Sequence, residues 1–145
     1  APEEENPVFG TARVVQALGA LVRPDAPGVA EMLTRGVRWL LAAQGGDGGW
    51  GGAPGVGPSI EETALAVDAL ARILSVTPRT ADGVDEAVAR GSAWLVDRTD
   101  RGRVFAPSPI GFYFARLWYY ERLYPLVFTT AALERVAPMV GGERL

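Results

Sequence analysis

Apolar residues recur at three- and four-residue intervals in two stretches of the chain that are copies of one another. In residues 28–41 (GVAEMLTRGVRWLL), Val29, Met32, Leu33, Val37, Leu40 and Leu41 fall at helical spacing. Residues 83–96 (GVDEAVARGSAWLV) repeat the pattern at an offset of 55, with Gly, Val, Glu, Arg, Gly, Trp and Leu identical. Pro27 and Asp82 stand just before the two starts, where helix-initiating residues belong. Each copy predicts an amphipathic helix of about 16 residues.

A different texture separates the copies. Residues 58–74 (PSIEETALAVDALARIL) open on Ser59 with Glu62 three positions later, the spacing of a capping box. The interior is Ala- and Leu-rich and apolar nearly all round, as in a helix with neighbours on both sides. Residues 7–22 share this texture and the same Thr-Ala pair (Thr11-Ala12, Thr63-Ala64), and a third such helix is predicted from Tyr120 to Val136. Outer amphipathic helices thus alternate with inner apolar ones. No strand-like alternation competes, so the expected class is all-α: stacked helix pairs, either a solenoid or part of an α/α barrel.

Between the first outer helix and the inner helix lies QGGDGGWGG, residues 44–52. Its glycines supply the positive φ angles of a tight reversal. Gln44 is expected to bond the free end of a neighbouring helix, Trp50 to stack across its amide, and Asp47 to accept backbone N–H groups. These three residues read as a structural clasp between repeats.

Composition narrows the chemistry. The chain has 145 residues, 48% of them hydrophobic, enough for one domain with a sizeable core. Net charge is −3 and the basic residues are scattered, which disfavours a nucleic-acid partner. No apolar run is long enough for a transmembrane segment, and the start has no signal-peptide pattern. There is no cysteine and no histidine. Disulfides, thiolate nucleophiles, a histidine base and the usual zinc ligands are therefore excluded, and no metal or other cofactor is expected. What remains is carboxylates, hydroxyls, aromatic faces and backbone groups.

The pattern Gln-x-x-Asp-Gly-x-Trp-Gly resembles the glutamine–tryptophan repeat of the squalene–hopene cyclase and class II terpene cyclase superfamily. Residues 6–11 (NPVFGT), 58–66 (PSIEETALA), 91–95 (GSAWL) and the aromatic segment 112–125 (FYFARLWYYERLYP) follow in the order of that family. The resemblance covers nearly the whole chain, and in that family these clasps are structural. Residues 98–105 (RTDRGRVF) look like a degenerate second clasp, with Phe105 where tryptophan would sit. Residues 107–115 (PSPIGFYFA) depart from the hopene-cyclase pattern and look more like bacterial diterpene-type cyclases.

Class II enzymes of this type protonate a polyene with an Asp-x-Asp-Asp acid, and class I synthases use an Asp-Asp-x-x-Asp metal motif; the chain contains neither. The resemblance implies that the acid lies upstream of the part matching Asn6, so residues 1–145 are expected to form a single domain, the C-terminal portion of a catalytic barrel. It would supply cavity wall for a linear isoprenoid such as geranylgeranyl diphosphate or squalene, and alone it would be inactive. Aromatic faces stabilise a migrating carbocation without offering a base. By resemblance, Tyr113 and Tyr120 fall at cavity aromatics, while Leu117 and Phe9 fall where the hopene cyclases have tyrosines. Helical spacing would put Tyr113, Leu117, Tyr120 and Tyr124 on one face. Glu61 and Glu62 diverge by about 100° and favour the helix dipole instead of a shared proton. Asp47, Asp68 and the glutamates are expected in turns or on helix surfaces.

The competing reading is a non-catalytic α/α binding or structural module. Protein prenyltransferase β-subunits and complement-type thioester domains share the barrel, but need a zinc site with cysteine and histidine, or a cysteine, that this composition lacks. Inner helices left open would expose apolar surface, so the remainder of the barrel or self-association is expected to cover it. The expected location is the cytoplasm, or a membrane periphery reached through a longer parent.

Overall fold

The computed structural model describes residues 6–21, 27–76, 82–112 and 117–140. Among these residues, five helices and one hairpin follow in the order α1 (Pro7–Gly19), α2 (Pro27–Ala43), α3 (Ile60–Val76), α4 (Val84–Arg98), β1 (Ser108–Phe112), β2 (Leu117–Glu121) and α5 (Leu123–Val140). The helix starts are written in side chains. Asn6 caps α1, its Oδ1 accepting from the Phe9 N–H at 2.9 Å, and Pro7 follows at the first helical position. At α3, Ser59 Oγ accepts from the Glu62 N–H at 3.2 Å while its hydroxyl donates to the Glu62 carboxylate. Ser59→Ala is expected to lower stability by about 1 kcal/mol; a denaturant midpoint unchanged within error would show that the cap carries no energy.

The helices form two layers. α3 lies between α1 and α5, α2 packs behind α1, and α4 packs behind α3. This makes α3 the centre of the core: every residue from Thr63 to Ala71 is buried, with Ile60 and Ile73. Its apolar circumference is the direct consequence of neighbours on all sides. The amphipathic helices contribute one stripe each: Leu33, Val37 and Leu40 from α2, Val84, Val88 and Leu95 from α4. The class is all-α, in the arrangement of inner and outer helices found in α/α barrels.

The 55-residue repeat has a packing cause. A Cβ at Gly36 would lie 2.8 Å from Val15 Cγ2, and one at Gly91 would lie 2.6 Å from Val67 Cγ2. The shared glycine is the point where each outer helix presses on its inner partner, α2 on α1 and α4 on α3. A methyl group there would force the layers apart.

One segment departs from helical expectation. The two strands pair antiparallel, with Ser108 opposite Glu121, Pro109 opposite Tyr120, Ile110 opposite Tyr119, Gly111 opposite Trp118 and Phe112 opposite Leu117. Pro107 and Pro109 lack the N–H that a helix interior needs, Gly111 weakens it further, and the consecutive aromatics of β2 favour extended backbone. The third inner helix therefore begins at Leu123 and not at Tyr120, with Glu121 Oε1 accepting from the Leu123 N–H at 2.8 Å. Among the described residues, no helix is long and apolar enough to cross a membrane.

Candidate functional site

The glycine-rich loop after α2 is held by its own side chains and by those of α4. Gln44 Nε2 donates to the Gly48 carbonyl at 2.9 Å and to the Ala87 carbonyl at 3.0 Å. Its acceptor on α4 thus lies within that helix's first turn, not at an unpaired helix end. Asp47 Oδ1 accepts from the Gly49 N–H at 3.1 Å, and Oδ2 from the Trp94 indole, also at 3.1 Å. Arg90 donates to the carbonyls of Gly45 and Gly46, both at 3.0 Å. The loop is thereby fastened to α4 by side chains of both partners.

Trp50 is buried at 0% exposure. Its Nε1 donates to the Leu40 carbonyl at 2.8 Å, one of the C-terminal carbonyls of α2 left over by the helix. Its backbone N–H donates to Thr63 Oγ1 at 2.9 Å, and its carbonyl accepts from the Ser59 N–H at 3.0 Å and the Thr63 hydroxyl at 3.2 Å. The ring lies on Gly91, where a Cβ would be 2.7 Å from Cζ3. One residue therefore touches α2, α3 and α4. In the second repeat the equivalent carbonyl, that of Leu95, is served by the Thr99 hydroxyl at 2.7 Å, and Phe105 packs half-buried against the core.

A second constellation crosses the inner layer. Asp68 of α3 is only 9% exposed, which corrects the expectation of a helix-surface position. Its Oδ1 accepts from Arg135 Nε of α5 at 2.5 Å, and its Oδ2 from Gln16 Nε2 of α1 at 2.7 Å. Gln16 Oε1 in turn accepts from Arg13 at 3.3 Å. The Arg13 guanidinium carbon stands 5.7 Å from the ring centroids of both Phe9 and Phe128, and Phe128 stacks on Tyr124 with centroids 5.7 Å apart and planes 9° from parallel. Arg13, Gln16, Phe128 and Arg135 were not singled out by motif. The available signal was Asp68 itself, a lone carboxylate in an apolar run that has to find partners when buried.

Among the described residues, the candidate wall positions do not share a helix face. Phe9 stands on the first turn of α1 at 36% exposure, and Tyr120 on β2 at 75%. Leu117 opens β2, Tyr124 belongs to α5, and Tyr113 lies outside the described residues. Leu117 and Tyr120 do not continue the helical face of Tyr124, because β2 ends at Glu121 before α5 starts at Leu123. Among the described residues, no group of three His, Cys, Asp or Glu side chains could hold a metal ion.

Residues 4–136 match the squalene-hopene cyclase C-terminal domain family. Over 106 residues the chain is 38% identical to terpentedienyl-diphosphate synthase of Kitasatospora griseola, an alignment covering 73% of this chain and 20% of that enzyme. It is 29% identical over 120 residues to enfumafungin synthase of Hormonema carpetanum, covering 76% of this chain and 8% of that one. The chain thus spans a fifth or less of the curated relatives' lengths. No solved structure gives a significant match. With the family match running from before α1 into α5, over the inner and outer helices alike, the chain belongs to the squalene-hopene cyclase C-terminal domain family.

Proposed function

We propose that this chain is a wall segment of a class II, protonation-initiated terpene cyclase acting on a linear isoprenoid, and that the catalytic acid is not among its residues. One observation carries the second half of this reading: the best-placed carboxylates are spent on structure. Asp68 accepts from Gln16 and Arg135, Asp47 from Gly49 and Trp94, and Glu62 from Ser59 and Asn6. Each is a hydrogen-bond acceptor in the fold, the opposite role from an acid that must hand its proton to an alkene. The first half is supported by the family match and by the named terpene synthases among the relatives. In this reading Gln44, Asp47 and Trp50 act as a clasp that holds the layers in register, while Phe9, Tyr113, Leu117 and Tyr120 contact substrate.

The isolated chain is expected to give no cyclised product from geranylgeranyl diphosphate or squalene; turnover would overturn the assignment of the acid. In a longer cyclase carrying this segment, Tyr113→Ala or Tyr120→Ala would remove a cation-facing ring worth about 1–2 kcal/mol, a shift of roughly 5- to 30-fold toward early-quenched products. A product profile unchanged in both variants would remove these tyrosines from the wall.

A further inference from the structure

Resting on that reading, we propose that Arg13 is an oxyanion receptor and that it takes the diphosphate of an isoprenoid substrate, with Asp68 as its positioning residue. The carboxylate of Asp68 faces the Gln16 amide. A carboxylate acceptor demands the NH2 side of that amide, so Gln16 must turn its carbonyl oxygen toward Arg13. The direction in which Arg13 is held is therefore set from α3, through α1. Arg135 engages the other oxygen of Asp68 from α5, so the charge of Asp68 is already matched. Among the described residues, Arg13 has no carboxylate of its own.

The flanking rings complete the arrangement. Phe9 and Phe128 each lie 5.7 Å from the guanidinium carbon and offer it their π faces, which stabilise the cation without consuming its N–H donors. A guanidinium has five donors, and Gln16 takes one. The remainder form a planar fork on an exposed side chain, the geometry that receives phosphate oxygens in pairs.

A fixed positive charge here would repel a carbocation, and the ring faces turned to Arg13 are already used. This end of the inner layer suits the anionic end of a substrate, not the migrating charge. Squalene has no such end. Prenyl diphosphates are therefore the favoured substrate class, and Phe9 helps to hold Arg13.

The test uses the 145-residue chain titrated with geranylgeranyl diphosphate, uncharged geranylgeraniol and inorganic pyrophosphate, followed by calorimetry and by the arginine Nε–Hε NMR signals. The diphosphate is expected to bind about 10-fold or more tightly than the alcohol, as for a charge-assisted hydrogen-bonded contact. Arg13→Gln should abolish that difference and Arg13→Lys restore part of it. Asp68→Asn should displace the Arg13 Nε–Hε resonance and reduce the preference. Melting temperatures recorded beside each titration separate these effects from misfolding; because Arg13 is exposed, Arg13→Gln should melt with the unaltered chain. Equal affinities for diphosphate and alcohol, or a preference that survives Arg13→Gln, would overturn the proposal. Pyrophosphate binding as tightly as the prenyl diphosphate would overturn the substrate assignment. Alcohol that binds without a diphosphate preference would leave the cyclase-wall reading intact, since that reading stands or falls on product profiles.

Discussion

Replacing Trp50 by alanine is expected to lower the unfolding free energy by about 3–5 kcal/mol, the range for removing a large buried aromatic. Two losses combine. The indole vacates a site enclosed by Gly91 and Val67, which cannot collapse onto it without moving two helices. The Leu40 carbonyl also loses its donor at 2.8 Å inside the core. Trp50→Phe isolates the second loss, because a phenyl ring fills much of the space but cannot donate; it should cost about 1–3 kcal/mol. For a domain of this size, the alanine variant should melt roughly 10 °C or more below the unaltered chain. A shift of less than a few degrees would mean that the layers hold together without the indole.

Gly51→Ala should be the next most damaging change. A Cβ at that position would sit 2.4 Å from the Val56 carbonyl oxygen and 2.6 Å from that of Gly57. These are backbone atoms, so relief requires the loop itself to move, and with it the Ser59 and Trp50 contacts at the start of α3. A cost of about 3 kcal/mol follows, at the upper end of overpacking effects. Gly46→Ala is the control: a Cβ there meets nothing within 4 Å and should leave stability within about 0.5 kcal/mol. If the two alanine variants unfold at the same denaturant concentration, the close approach at Gly51 does not exist in solution.

The helices were legible because their signals are local. The repeated stripe of Val29, Leu33, Val37 and Leu40, the Ser59–Glu62 cap and the all-round apolarity of α3 need no knowledge of partners. The hairpin was misread for the same reason. Tyr113, Leu117, Tyr120 and Tyr124 fit a helical spacing, yet Pro107, Pro109 and Gly111 upstream decide the backbone, and strand pairing joins residues up to 13 positions apart, as Ser108 with Glu121. The loop's residue types were visible, but not the receivers of their bonds, since Ala87 lies 43 positions beyond Gln44. The polar ladder was hidden more deeply, because Arg135 is 67 positions from Asp68. Only the physical cost of burying a carboxylate hints that such a partner must exist.

The position of Trp50 also bears on how the molecule opens. In stacked repeats each unit touches only its neighbours, and end units can melt while the rest stays folded. Here a side chain rooted between α2 and α3 is sealed by Gly91 of α4 and reports back to the Leu40 carbonyl of α2. Detaching α4 would hydrate the indole, and losing the indole would strand a carbonyl of α2. Fraying at one end is thus tied to the middle of the array, so α2, α3 and α4 should exchange their amide protons as one cooperative unit with a common protection factor.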